Sequence, residues 1–313
     1  KEKNLMRYIT LGQDDKELSE IVLGMMRIEN KSVKEVEELV ETALSVGINA
    51  FDLADIYGRG RCEELLGLVL KNRPDLREEM WIQSKCGIRI EEFTYFDFSK
   101  DYIIKSVDGI LQRLKIDHLD SLLLHRPDAL MESDQVAEAF DLLYKQGKVR
   151  NFGVSNQNPM MMELLKKDVK QPLAVNQLQL SAAFTPGFES GFHVNMEDSQ
   201  AAMRDGSIFE YCKLHDVVIQ AWSVLQFGYF KGNFVGNEKF QALNQVLDRL
   251  AIKYGVTPST IAISWILRYP AKMQAVVGTT NPKHLREVSQ AANFSLTRKE
   301  WYEIYLAAGN NLP

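Results

Sequence analysis

Gly47-Ile48-Asn49-Ala50-Phe51-Asp52-Leu53-Ala54-Asp55-Ile56-Tyr57-Gly58 runs from a short apolar segment straight into a turn that carries ionisable groups. Asn49 to Leu53 is bounded by Gly47 and Gly58 and reads as a buried parallel strand. Before it, Val33, Val36, Val40, Ala43 and Leu44 recur at helical spacing, from an N-cap at Ser32 to a stop at Gly47. A helix feeding a buried strand is the unit of an α/β barrel, and such barrels keep their chemistry at the C-terminal ends of the strands. Asp52 stands at that end and Tyr57 on the loop beyond. Alone, the pair reads equally well as a turn cap and a half-buried aromatic.

Two later strands end in the same way. Trp81-Ile82-Gln83-Ser84-Lys85 finishes in a lysine, and Leu122-Leu123-Leu124-His125 in a histidine. A lysine is seldom buried without a partner, and Asp52 is at hand. Consecutive strand ends of a closed parallel barrel aim at one mouth, so the four polar groups are expected to meet there.

The remaining pattern supplies the other strands: Ile21 to Met26, Leu119 to His125, Val149 to Val154, Leu173 to Leu178, Val217 to Ala221 and Gln274 to Val277. Counted from Ile21 they give about eight strand–helix units. The expected fold is a single-domain (β/α)8 TIM barrel over residues 1–313, with a short N-terminal strand or hairpin from Arg7 to Gly12 and long loops at the C-terminal face. One such loop, from Cys86-Gly87 to Lys100, holds Phe93, Tyr95, Phe96 and Phe98 and reads as a wall or lid over the mouth, or else as a satellite packing cluster. Another, Gln226 to Gly232, reads as flexible. Thr185 to Arg204 has no clear period and is left unassigned.

Composition narrows the function. A formal charge of −5 gives no polybasic surface, so neither nucleic acid nor an anionic membrane is expected as partner. Cys62, Cys86 and Cys212 fit neither a disulfide framework nor a metal site, so no metal is expected. No apolar signal region opens the sequence and no apolar run is long enough to span a bilayer, so a cytoplasmic setting is expected. Gly58-Arg59-Gly60 lacks the third glycine of a dinucleotide fingerprint, with Glu63 in its place. Gly278-Thr279-Thr280-Asn281-Pro282 opens a helix whose free amides form an anion site, with His284 and Arg286 close by.

Taken together, the segments at 47–58, Ser84-Lys85, Leu124-His125-Arg126-Pro127, Gly153-Val154-Ser155-Asn156, Asn176-Gln177, Trp222-Ser223 and Gly278-Thr279 resemble the aldo-keto reductase family, in its bacterial oxidoreductase branch. That resemblance covers nearly the whole chain. It implies reduction of an aldehyde or ketone by NADP(H), with NAD(H) as second choice, and a small-molecule carbonyl substrate. By position, Asp52, Tyr57, Lys85 and His125 take the catalytic places. Ser155, Asn156 and Gln177 take those that hold the carboxamide, and Trp222 stacks on the nicotinamide. Ser223, Leu225 and Gly228 line the pyrophosphate, while Gly278, Thr279, Thr280, His284 and Arg286 surround the adenosine 2′-phosphate. The sequence departs from the NADPH-preferring pattern at Gly278, where many members carry lysine, and at His284, where they carry arginine. The family's chemistry assigns Tyr57 as proton donor, with Lys85 lowering its pKa. Two other readings use the same residues: a Schiff-base aldolase acting through Lys85, and a redox-sensing subunit that binds cofactor without much turnover.

Overall fold

The computed structural model describes residues 6–12, 14–92, 94–192, 199, 207–228 and 230–310. Twelve strands are present among them: β1 (Tyr8–Leu11), β2 (Asp14–Ser19), β3 (Ile21–Gly24), β4 (Ala50–Asp52), β5 (Trp81–Cys86), β6 (Ile88–Ile90), β7 (Thr94–Phe96), β8 (Leu119–Leu124), β9 (Val149–Ser155), β10 (Leu173–Gln179), β11 (Val218–Trp222) and β12 (Met273–Val277). Eight of these close a parallel barrel in the order β3-β4-β5-β8-β9-β10-β11-β12, with β12 pairing back to β3. The expected (β/α)8 architecture is the one observed.

Each strand shows one side to the barrel interior and one to the helices, because successive side chains alternate. Outward-facing Leu23, Phe51, Ile82, Leu122 and Ile219 pack into the large core shared with the helices. Inward-facing Val22, Ala50, Trp81, Val175, Val218 and Val276 form a second, smaller core. That inner core is floored by the antiparallel hairpin β1–β2, whose Leu11 and Leu18 are wholly buried against it. The hairpin matches the expected N-terminal feature, but its return strand contains Asp14 and Asp15, which the sequence places between segments. Backbone pairing, not apolar pattern, makes that strand.

The surrounding helices begin where the sequence offers caps. Ser32 and Glu35 form a reciprocal capping box on α1 (Val33–Ser45). α2 (Arg61–Asn72), the short α3 (Leu76–Glu79) and α4 (Lys100–Leu114) follow. Gly67 lets α2 and α4 approach closely, since a Cβ there would meet the Arg113 carbonyl oxygen at 2.1 Å. Next come α5 (Ser133–Lys145), α6 (Pro159–Lys166), α7 (Pro186–Phe192), α8 (Ile208–Leu214), α9 (Gln241–Tyr254), α10 (Pro258–Leu267), α11 (Pro282–Ser289) and α12 (Arg298–Ala307). α7 lies in the stretch without a period. Its Phe188 packs against Phe209, Trp265, Tyr269 and Trp301, and most of the rest, to 206, lies outside the described residues. Trp265 and Trp301 stack at 4.9 Å and exchange indole N–H bonds with each other's carbonyl oxygens.

The aromatic loop after β5 contains the hairpin β6–β7. Phe98 is core: it is 1% exposed, and its ring fills the space beside Gly87. Tyr95 lies under the Arg89 guanidinium at 5.1 Å and Phe96 is exposed, while Phe93 falls outside the described residues. Phe98 thus belongs to the packing core.

Candidate functional site

Asp52 ends β4, Lys85 sits one residue from the end of β5, His125 follows β8 and Tyr57 opens a short 3-10 turn beyond β4. The barrel brings all four together. Lys85 Nζ, fully buried, donates to Asp52 Oδ2 at 2.8 Å, to the Leu53 carbonyl at 2.7 Å and to Tyr57 Oη at 3.0 Å. The Tyr57 and His125 rings meet edge to face at 5.9 Å. Three acceptors use all three ammonium hydrogens, so the charge is fixed in place. The end of β5 is fastened from outside as well. Ser84 Oγ donates to Glu63 Oε1 at 2.6 Å, and Arg113 Nε to Glu63 Oε2 at 2.7 Å.

The electrostatics correct one expectation. Burial pushes the Tyr57 phenol above its ordinary value of 10; the Lys85 charge pulls the other way but does not overcome it. Tyr57 is therefore a well-protonated donor and not a pre-ionised one. Burial works against the Lys85 charge, yet Asp52 and Tyr57 together raise its pKa above 10.5. His125 is held well below 6.5 by burial and by the charges of Lys85 and Arg126, so its ring is neutral. Its Nδ1 is buried with no hydrogen-bond partner among the described residues. Asp55, beside this group, also has an orphaned oxygen, Oδ1, and burial lifts its carboxyl to about 7. It borders a flank cavity of about 380 Å³ together with Arg59, Tyr102, Lys105 and Arg113.

Ser155, Asn156, Gln177 and Trp222 form a second group at the same mouth. Ser155 Oγ donates to the Gln177 carbonyl at 3.0 Å and accepts from Asn156 Nδ2 at 2.9 Å. Trp222 Nε1 reaches Asn156 Oδ1 at 3.4 Å, and the Arg126 guanidinium lies 5.5 Å from the indole centre. Gln177 Nε2 donates to Asp52 Oδ1 and to Gln220 Oε1, both at 3.1 Å. Both amide hydrogens are thereby used, and what Gln177 has left to offer a ligand is its Oε1 acceptor. An amide N–H, such as the carboxamide of nicotinamide carries, fits that acceptor.

The loop after β11, read as flexible, is held at both ends. Phe234 is fully buried and its amide donates to the Leu225 carbonyl at 3.1 Å. Ser181 Oγ holds the Gln226 carbonyl at 2.6 Å, and Ser223 Oγ donates to Gln226 Oε1 at 3.4 Å. Gly228 takes φ of 154° with Lys231 packed against it. At the start of α11, two amides are already capped: Asn281 N donates to Thr279 Oγ1 at 3.2 Å and Lys283 N to Asn281 Oδ1 at 2.9 Å. Gly278 has open space around it: among the described residues, none beyond its chain neighbours comes within 4 Å of where a Cβ would stand. Thr280 and the exposed His284 flank this opening in sequence. Arg286 stands one turn into α11, where its Nη2 donates to Thr42 Oγ1 of α1 at 3.5 Å.

Gln83 and Gln220 escaped the sequence reading. Both lie two residues before a strand-end side chain already singled out, Lys85 and Trp222, so the two-residue period of a strand points them into the barrel as well. A polar residue at that parity in an apolar strand was the available signal.

The sequence model of the Aldo/keto reductase family matches residues 20–306. Oxidoreductase YdhF of Escherichia coli is 34% identical over 99% of this chain and 100% of its own. A protein of Agrobacterium fabrum named 6-dehydroglucose reductase is 33% identical over 97% of this chain and 98% of its own. Among solved structures, the thermostable aldo-keto reductase Tm1743 superposes with a TM-score of 0.76 at 25% identity, covering 96% of this chain and all of that one. An aldo-keto reductase from Klebsiella pneumoniae in complex with NADPH gives 0.76 at 20% identity over 96% of this chain and 94% of its own.

Proposed function

This chain belongs to the aldo/keto reductase family, an oxidoreductase by that membership, and from that premise we propose that it reduces an aldehyde or ketone to an alcohol with NADP(H), Tyr57 giving the proton. One observation carries the reading: a single buried ammonium, Lys85 Nζ, is shared between Asp52 Oδ2 and the Tyr57 hydroxyl, at 2.8 and 3.0 Å.

When bound, a reduced nicotinamide supplies hydride to the carbonyl carbon. The carbonyl oxygen then gains negative charge, and the site must answer with a proton and a nearby cation. Tyr57 holds its proton until that charge develops, since burial has raised its pKa. The Lys85 ammonium stabilises the phenolate left behind, and Asp52 keeps the ammonium charged and aimed. Neutral His125 carries one ring N–H, suited to orient the carbonyl oxygen without competing as an acid. Gln177 Oε1, Asn156 and Ser155 would hold the carboxamide and the half-buried Trp222 its ring. The opening at Gly278 with Thr279, Thr280 and His284 would take the adenosine end, where glycine and histidine in place of lysine and arginine leave room for NAD(H) too.

The Schiff-base reading is disfavoured by the same lysine. An amine held as ammonium by three acceptors, with a raised pKa, has no lone pair to attack a carbonyl.

The test follows NADPH and NADH absorbance against a panel of aldehydes, ketones and sugar carbonyls. 6-Dehydroglucose belongs in the panel because the Agrobacterium relative bears that name. Cofactor-dependent reduction of any member supports the reading; trapping of substrate on Lys85 by borohydride, with no cofactor oxidation, would replace it.

A further inference from the structure

Below the mouth, four side chains from four strands close a ring of hydrogen bonds. Asp52 Oδ1 accepts from Gln83 Nε2 at 2.7 Å and from Gln177 Nε2 at 3.1 Å. Gln220 Oε1 accepts from the same two nitrogens, at 2.7 and 3.1 Å. All four residues are 3% exposed or less. Strand register sets Asp52 beside Gln83 and Gln177 beside Gln220, so two neighbouring pairs face each other across the barrel.

Every hydrogen in the ring has one place to go. Gln220 must turn its oxygen into the ring, because its own Nε2 donates to Gln274 Oε1 at 2.8 Å and to Gln83 Oε1 at 3.2 Å. Gln83 Oε1 also accepts from Ser121 Oγ at 3.0 Å, which fixes that amide the other way round. Reversing Gln220 alone would set its N–H groups against those of Gln83 and Gln177. The orientation of one amide therefore sets two others, and in a low-dielectric interior such linked bonds reinforce each other.

We propose that Gln220 and Gln83 are positioning residues that join the two halves of the site. Through Gln83 and Gln177 the ring directs two N–H groups onto Asp52, holding its other oxygen toward Lys85. The same ring holds Gln177 so that its oxygen is the group left for the cofactor carboxamide. Proton donation and cofactor grip then depend on one shared element, although Gln220 touches neither Asp52 nor any reacting atom. This inference rests on the reductase reading above.

Gln220→Met nearly conserves volume and removes both functions of the amide. The expected result is a fall in kcat of ~10-fold together with a rise in cofactor Kd of ~5-fold, the scale of losing one or two buried hydrogen bonds. Kd is read by binding of NADPH in the absence of substrate. Gln83→Met gives the same kcat loss, and serves alone if Gln220→Met does not fold. The double variant loses no more than the worse single one, since both break the same ring. A Gln220→Met protein with a lower melting temperature but unchanged kcat and Kd overturns the proposal, as do additive losses in the double variant. If the wild-type protein itself neither binds NADPH nor reduces a carbonyl, the reductase reading fails instead. The ring is then judged by the crystal structure of the ligand-free Gln220→Met variant: a Gln177 amide rotated away from Asp52 supports it, and an unmoved one overturns it.

Discussion

Lys85 Nζ lies 2.8 Å from Asp52 Oδ2 with both side chains shut away from solvent, so each is the other's condition for being buried. Asp52→Leu strands the ammonium without its counter-charge and is expected to destabilise the fold by roughly 3–5 kcal/mol. Adding Lys85→Met should recover most of that loss in urea unfolding while turnover stays abolished. A double variant no more stable than Asp52→Leu would show that the pair does not govern the stability of this region.

Tyr57→Phe removes the proton donor and leaves the ring that packs against His125. Carbonyl reduction should fall by ~10²–10⁴, the scale of general acid catalysis, with cofactor affinity kept. Because burial raises the Tyr57 pKa, the basic limb of the wild-type kcat profile should lie above pH 10. A limb near neutral pH, or near-full turnover by the variant, contradicts the assignment.

Asp55 provides a pH test of stability. Its carboxyl is lifted from an ordinary value near 4 to about 7, so between those two the folded protein binds a proton that the unfolded chain has lost. Stability therefore falls as pH rises from 4 to 7, by an amount on the order of 2–4 kcal/mol. Asp55→Asn should raise the melting temperature at pH 8 and leave it nearly unchanged at pH 4. Equal effects at both pH values would mean that ionisation of Asp55 is not the cause.

Gly278 faces open space at the place expected to take the adenosine phosphate. Gly278→Lys should shift the ratio of kcat/KM values toward NADPH over NADH by ~10-fold or more, as a charge-assisted bond to phosphate would. No change in that ratio places the phosphate elsewhere. Arg286, bonded to Thr42, should be tolerant to replacement by alanine in the same assay.

Gly87 takes φ of 109°, and a Cβ there would meet the Phe98 ring at 2.2 Å. Gly87→Ala is expected to cost ~1–3 kcal/mol through overpacking, together with the left-handed backbone. A melting temperature equal to the wild type would show that the loop yields freely.

The barrel was legible because short, largely apolar segments recur between helical patterns, as Gly47 and Gly58 frame β4. The meeting of Asp52, Tyr57, Lys85 and His125 was legible for a topological reason: parallel strand ends share one mouth. Three things were not. The floor strand β2 is held by backbone pairing across Asp14–Ser19, whose polar sequence hides it. The direction of the Tyr57 shift depends on how deeply a phenol is buried, which neighbouring residues in the sequence do not reveal. The partner of Arg286, Thr42, is 244 positions away and is reached only once the barrel has closed.

The hairpin beneath the barrel has one more effect. With Leu11 and Leu18 corking the lower end, the apolar inner core is sealed on that side, so the strand-end side chains are left to meet a ligand from the opposite, C-terminal face.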